Sequence, residues 1–303
     1  MLPLDGCLDP RLRAVVEDVL GHPGSLARAQ LAFGLGVRRG LDAQSALEIA
    51  IATEYFHSAS LLFDDMPSMD DALERRGHPC PHVVHGEAAA ILGALALITR
   101  AYTLLWEGIG ESRLAAAALV DECLGVAGIL DGQARDVHFR REGASATAAE
   151  AAAEVAMAKT VPLIRLALVL PALVAGEGAA TLDRLERLAV SWGLSYQILD
   201  DFKDRLMGPE ETGKTAERDA RLGRPNLPAL AGPRTAFDRL RRRLAESRAI
   251  LRELDDLDEL DATGGTGGTG GGWAPLERLQ GFLETEASDV ARRLEGMEGA
   301  EAA

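Results

Sequence analysis

Two acidic clusters carry the side chains best suited to chemistry: Leu61-Leu62-Phe63-Asp64-Asp65-Met66-Pro67-Ser68-Met69-Asp70-Asp71 and, far downstream, Leu199-Asp200-Asp201-Phe202-Lys203-Asp204. Each is reached through a long apolar run of helical character, which puts the carboxylates at the mouth of a core. Asp200 and Asp204 are four apart and so share one helix face. Like charges held that close repel unless cations neutralise them. Pro67 interrupts the first run, and a bulge there would bring Asp64 and Asp70 round to one side. If the clusters face each other, they form a cage of hard oxygen ligands suited to Mg²⁺ bridging to phosphate.

An acidic run is more often just a solvated face. Asp255-Asp256-Leu257-Asp258 is such a run, set among recurring acidic residues beside a Gly-rich segment. The two leading clusters differ because strongly apolar segments run directly into them.

The elements that must position these groups read as helices. The apolar content of 47% is rich in Ala and Leu, aromatic residues are few and β-branched runs are short. At 303 residues the chain can bury a large core. A formal charge of -15 argues against nucleic acid, but not against a small anion held through bridging metal. Cys7, Cys80 and Cys123 are widely spaced with no paired motif, and the N-terminus has no basic region followed by an apolar stretch. Together these favour reduced thiols and a cytoplasmic protein, with Cys80 or Cys123 as packing residues. The longest apolar runs, 161–175 and 88–105, contain Arg165 and Arg100 and read as core helices, not membrane spans.

In chain order, Asp9 is a candidate cap for a helix over 10–20, with Pro10 at its first position. After Gly21-His22-Pro23-Gly24 a second helix carries Arg28, Leu31 and Leu35. A third, over 46–63, holds His57 and ends at the first cluster. The basic loop Arg75-Arg76-Gly77 follows, its arginines able to pair with the nearby carboxylates or to grip a diphosphate. Helices are expected over 88–106 and 113–130, followed by Asp131-Gly132-Gln133-Ala134-Arg135-Asp136. An exposed, Ala-rich helix start over 144–154 feeds Lys159-Thr160-Val161-Pro162, where the proline bends or breaks the helix. A helix over 180–206 carries the second cluster, and a polar loop with Lys214 follows. Gly223-Arg224-Pro225-Asn226 reads as a turn, 234–260 as a charged amphipathic helix and 275–294 as a closing helix. The Gly/Thr-rich stretch at 262–273 is a flexible tether between late helices, so 1–303 is taken as one all-α domain, a large helical bundle around a central cavity.

Asp64-Asp65-(four residues)-Asp70-Asp71, then Arg75-Arg76-Gly77, then Asp200-Asp201-(two residues)-Asp204 resembles the trans isoprenyl diphosphate synthases, the polyprenyl synthetase family. Further matches stand in order over residues 54 to 230: Glu54-Tyr55-Phe56-His57, Gly86-Glu87-Ala88, Gly132-Gln133-Ala134-Arg135-Asp136, Lys159-Thr160, Tyr196-Gln197 and Gly213-Lys214. The resemblance implies an all-α isoprenoid-synthase bundle, commonly a homodimer, that joins an allylic diphosphate to isopentenyl diphosphate with Mg²⁺, three ions once substrate is bound. It implies Asp64, Asp70 and Asp200 as metal ligands, with Asp65 and Asp204 supporting through water or hydrogen bonds; Asp65 counts among the catalytic carboxylates, and Asp201 and Asp204 among the substrate-binding residues. Arg75, Lys159, Gln197 and Lys214 would hold the allylic diphosphate, with Thr160 near the reacting carbons. Arg28, His57 and Arg76 would hold isopentenyl diphosphate.

Where the family usually shows Gly-Lys-Arg-x-Arg-Pro, this chain reads Gly24-Ser25-Leu26-Ala27-Arg28-Ala29 and keeps one arginine, Arg28. Two alternatives to condensation therefore stay open: a class I terpene cyclase or lyase, and a non-catalytic partner subunit. In the family, the residues four and five before the first Asp line the floor of the chain pocket; here they are the small Ser60 and Ala59, with Phe56 one turn deeper as a stop. The expected product is geranylgeranyl diphosphate, with farnesyl diphosphate as the shorter possibility.

Overall fold

A computed structural model describes residues 6–7, 9–139, 146–206, 224–263 and 273–301. The regular elements among them are α1 (Pro10–Gly21), α2 (Ala27–Arg38), α3 (Ala43–Asp64), a hairpin of β1 (Glu74–Arg75) and β2 (His78–Pro79), α4 (Pro81–His85), α5 (Glu87–Gly108), a 3-10 turn (Gly110–Ser112), α6 (Arg113–Leu124), α7 (Ile129–Val137), α8 (Ala146–Lys159), α9 (Val161–Val174), α10 (Ala179–Leu206), α11 (Leu227–Ala231), α12 (Pro233–Thr263) and α13 (Ala274–Glu301). The all-α architecture expected from composition is the one observed.

Local chemistry sets the helix ends. Asp9 accepts from the Arg11 and Leu12 amides, and Pro10 stands at the start of α1. Asp42 caps α3 through the Gln44 and Ser45 amides. Pro162 restarts the chain as α9 after Lys159, with a bend of 41° between α8 and α9. Because α9 is apolar on all sides it is buried on all sides, from Val161 to Ala172 apart from Arg165. It packs on α2, α3, α6, α8 and α10. Helices α10 and α12 run antiparallel, joined by the Arg187–Glu253 ion pair at one end and by the Phe202 and Phe237 rings, 6.3 Å apart, at the other. One apolar core extends from Val15 to Val290, and Cys80 and Cys123 lie buried outside any disulfide.

Three local expectations change. The helix expected over 113–130 stops at Leu124, turns through 125–128 and restarts as α7, so the Asp131 to Asp136 motif is helical. The Ala-rich start of α8 is not simply exposed, because Ala149, Ala152, Val155 and Ala156 are buried. The basic loop after the first cluster is a tight hairpin: Arg76 (φ 56) and Gly77 (φ 76) form a two-residue turn of the type that matches strand twist, pairing Arg75 with His78. Lys214 and the rest of its loop, Gly223, and residues 264–272 of the tether lie outside the described residues.

Among the described residues one helix, α5, is long and apolar enough to cross a membrane by length and composition. It lies along α3 within the bundle, while Ile91, Leu92, Leu95 and Trp106 on it remain exposed.

Candidate active site

The two acidic clusters border one cavity of about 1310 Å³. Asp64 ends α3, and the chain then folds back on itself. The Asp70 amide donates to the Asp64 carbonyl (2.9 Å) and the Asp71 amide to the Met66 carbonyl (2.9 Å). This turn around Pro67 brings Asp64 and Asp70 to the cavity despite the six-residue spacing. From α10, Gln197, Asp200, Asp201 and Asp204 reach the same space. Among the described residues no three His, Cys, Asp or Glu side chains converge to hold an ion by themselves. The donor set is nonetheless all hard oxygen, and Asp64 is pushed up to about 6 by burial, then by Asp70 and Asp136, against the pull of Lys159 and Arg75. A buried carboxylate raised in this way, with other carboxylate oxygens on the same cavity, fits a hard divalent cation that completes its shell with ligand oxygens.

Asp65 behaves differently. It is buried, does not border the cavity, and holds Arg75 in a bidentate pair (Nε to Oδ2 2.8 Å, Nη2 to Oδ1 2.6 Å). Asp65 thus meets the cavity through Arg75, which itself borders it, in line with support given by hydrogen bonds. Asp201 is also spoken for: it accepts from Gln197 Nε2 (2.9 Å) and from the Leu227 amide (2.7 Å), and Gln197 in turn accepts from Thr160 Oγ1 (2.8 Å). Asp201 borders the cavity, and through these bonds it orients Gln197 and Thr160 there.

Lys159 projects from the last turn of α8 to Asp136 Oδ2 (2.6 Å) and Asp64 Oδ1 (3.9 Å). Burial alone would lower its pKa, but Asp64, Asp136 and Asp70 outweigh it and hold the ammonium above its ordinary value. Asp136 was not expected in the site. It ends the Gly132 to Asp136 motif, and once α7 is helical it faces α8. Gly132 sets that approach, because any side chain there would overlap the Ala158–Lys159 backbone.

At the end of the cavity nearest α2 lie Arg28, His57 and Arg76. Arg28 Nη1 lies 3.1 Å from His57 Nε2. Arginine has only donors, so Nε2 accepts and the ring proton sits on Nδ1. That Nδ1 is buried without a partner. Burial, then the charges of Arg28, Arg76 and Arg75, pushes the imidazole down to about 2, so it is neutral. The result is a neutral ring that borders the cavity among guanidinium groups, with its Nδ1–H buried and unpaired. Arg28 also lies over the Tyr196 ring at 5.9 Å. Arg76 rests against Gly24, where any side chain would displace it. Ser25 is exposed, and Leu26 caps α2 in the left-handed region (φ 52, ψ 27) without a side-chain bond.

The lining also has an apolar share, with Phe63, Ile129, Ala152, Val155, Ala156 and Leu163 among it. Ser60 borders the cavity as well. Ala59 and Phe56 are buried but are not among the lining residues, and Phe56 instead meets Tyr102 of α5 edge-on, with centroids 5.0 Å apart. Of the three expected chain-length residues, only Ser60 reaches the cavity.

A family model described as polyprenyl synthetase matches residues 9–259. The chain is 36% identical over 251 residues to a geranylgeranyl diphosphate synthase of Pantoea ananas, covering 80% of each protein. It is 34% identical over 237 residues to the farnesyl diphosphate synthase of Escherichia coli, covering 76% of this chain and 78% of that protein. In fold it is similar to a geranyltransferase from Helicobacter pylori whose crystal structure is complexed with magnesium and isoprenyl diphosphate. That similarity has a TM-score of 0.67 at 24% identity and covers 95% of this chain and 89% of the other.

Proposed function

The chain belongs to the polyprenyl synthetase family of trans-prenyltransferases, and from that premise we propose that it condenses an allylic diphosphate with isopentenyl diphosphate, using Mg²⁺, to give geranylgeranyl diphosphate. The observation that carries this reading is one cavity bordered by carboxylates of both clusters and by apolar side chains. Asp64, Asp70 and Asp200 are the carboxylates that would hold the metal, as three ions in the full complex. When bound, Mg²⁺ neutralises charge on the leaving pyrophosphate. Lys159 and Arg75, with Lys214 from outside the described residues, grip the same diphosphate. Thr160 and Gln197, oriented by Asp201, lie beside the carbon that loses it. The allylic C–O bond breaks with its electron pair leaving on pyrophosphate, the isopentenyl double bond forms the new C–C bond, and the adjacent proton passes to pyrophosphate. The apolar walls keep water from the allylic cation.

Arg28, Arg76 and the His57 ring, which all border the cavity, take the diphosphate of the second substrate. Length is read at Ser60, and its small side chain suits a chain longer than fifteen carbons. The exposed apolar residues of α5 are the surface on which a second copy would pair, giving a homodimer in the cytoplasm, with residues 1–303 acting as one unit.

Incubating the purified protein with Mg²⁺, isopentenyl diphosphate and each allylic diphosphate tests the proposal. A twenty-carbon diphosphate supports it. A hydrocarbon would favour a cyclase, the reading to which the loss of two cations at Ser25 and Leu26 points. No product from any starter would leave a non-catalytic subunit.

A further inference from the structure

Residues 224–227 touch both acidic clusters. At one end, Arg224 is buried and donates in three directions: Nη1 to the Asp136 carbonyl (2.8 Å), and Nη2 to the Met69 carbonyl (2.9 Å) and to Asp70 Oδ1 (2.7 Å). At the other end the Leu227 amide donates to Asp201 Oδ2 (2.7 Å), and Asn226 Nδ2 to the Asp201 carbonyl (3.0 Å). Asn226 also caps α11. The segment is thereby fixed to α10, to the end of α7 and to the turn that carries Asp70.

We propose that Arg224 is a positioning residue for Asp70, holding that carboxylate at the cavity mouth in the orientation it needs to receive a divalent cation and a diphosphate. The inference rests on the proposed function of the same site. Asp70 belongs to no helix; its turn is closed by a few backbone bonds and followed by Asp71 in the left-handed region (φ 52). A carboxylate there has rotamers to choose from. Two carbonyls fix the plane of the Arg224 guanidinium before it meets Asp70, so its direction is set by α7 and by the turn itself. It engages Oδ1, which leaves Oδ2 for a ligand. A lysine could supply the charge, but not a rigid fork meeting three acceptors.

The experiment measures binding without turnover: calorimetry of Mg²⁺ in the presence of inorganic pyrophosphate on wild type, Arg224→Met, Asp70→Asn and the double variant, with Arg224→Lys in case the Met variant does not fold. Loss of a group that orients a metal ligand costs about tenfold or more in affinity. That loss is expected for Arg224→Met and, in part, for Arg224→Lys. In the Asp70→Asn background the same change is expected to cost less than about twofold, because the two residues act through each other. An equal loss in both backgrounds would overturn the proposal and mean that Arg224 contacts the anion directly. Unchanged affinity in the single variants, or no binding by wild type, would overturn it too. Wild-type binding without prenyl transfer would defeat the proposed reaction and leave the role of Arg224 standing.

Discussion

Gly132 of α7 meets the Lys159 backbone of α8 with no room for a methyl group between them. This contact lets Asp136, one turn further along α7, reach the Lys159 ammonium at 2.6 Å and so hold it near Asp64. A glycine that looks like a helix defect is the spacer of the site.

Gly132→Ala should therefore act on both stability and chemistry. Inserting a methyl between packed backbones costs about 1–3 kcal/mol, and the melting temperature should fall accordingly. The shift of α7 from α8 should also lower kcat/KM for the allylic substrate by about tenfold or more, since sub-ångström placement of a charged group is at stake. Ala134→Gly, at an exposed position of the same helix, should cost about 1 kcal/mol of stability and leave kcat/KM unchanged. If both variants lose only stability, the contact does not position Lys159.

Product length is expected to respond at Ser60. Ser60→Phe puts a ring into the apolar part of the cavity, and the main product should shorten to fifteen carbons, read by chromatography of the dephosphorylated alcohols. Ala59 is 1% exposed and not among the lining residues. Ala59→Phe should mainly overpack the core, at a cost of about 1–3 kcal/mol. A shorter product from Ala59→Phe with wild-type stability would show that the wall lies on that side of α3.

These two positions mark how far the sequence could be read. The apolar run up to Asp64, the cap at Asp42 and the break at Pro162 are local signals, and the helices they delimit are present. The return of Asp70 to Asp64 was legible because Pro67 stands between them. Which face of α3 looks inward was not: the helix is apolar on nearly every side, so its pattern carries no preferred direction. Asp136 and Arg224 were hidden for a different reason. Their partners lie 23 and 154 residues away, and nothing local to Arg135-Asp136 or Gly223-Arg224 announces an ion pair. Asp65 is the converse case, reading like its neighbour Asp64 but turned to Arg75 by the hairpin.

His57 should leave a mark on acid stability. Its folded value is about 2, against 6.5 for an ordinary imidazole. Below pH 6.5 the unfolded chain takes up a proton that the folded chain refuses. The stability this site contributes is therefore complete above pH 6.5 and is lost as pH falls toward 2. One proton corresponds to roughly 1.4 kcal/mol per pH unit in the steep part of that range. Between about pH 6 and pH 4, denaturant midpoints of the wild type should fall more steeply than those of His57→Gln by about one proton. Carboxylates titrate in both chains and cancel in the difference. Parallel curves would mean that the imidazole is protonated in the folded protein.

The α1–α2 loop gives the last prediction. Ser25 and Leu26 are not among the cavity-lining residues, but they stand between Arg28 and Gly24, against which Arg76 rests, so that longer cationic side chains there would extend toward the same anion. One charge-assisted hydrogen bond contributes about 1.5–3 kcal/mol, or roughly tenfold to a hundredfold in binding. Ser25→Lys with Leu26→Arg should therefore lower the KM for isopentenyl diphosphate by about tenfold or more and leave kcat within about twofold, the signature of added uniform binding. Leu26→Asn is the matched control. Leu26 sits at φ 52, ψ 27, where a residue with a Cβ pays about 1–2 kcal/mol and Asn is better tolerated. That variant should gain stability and leave KM alone. A KM that does not move in the doubly cationic variant, with its melting temperature intact, would place the diphosphate of the second substrate away from Arg28 and His57, and with it the meaning of the unpartnered His57 Nδ1.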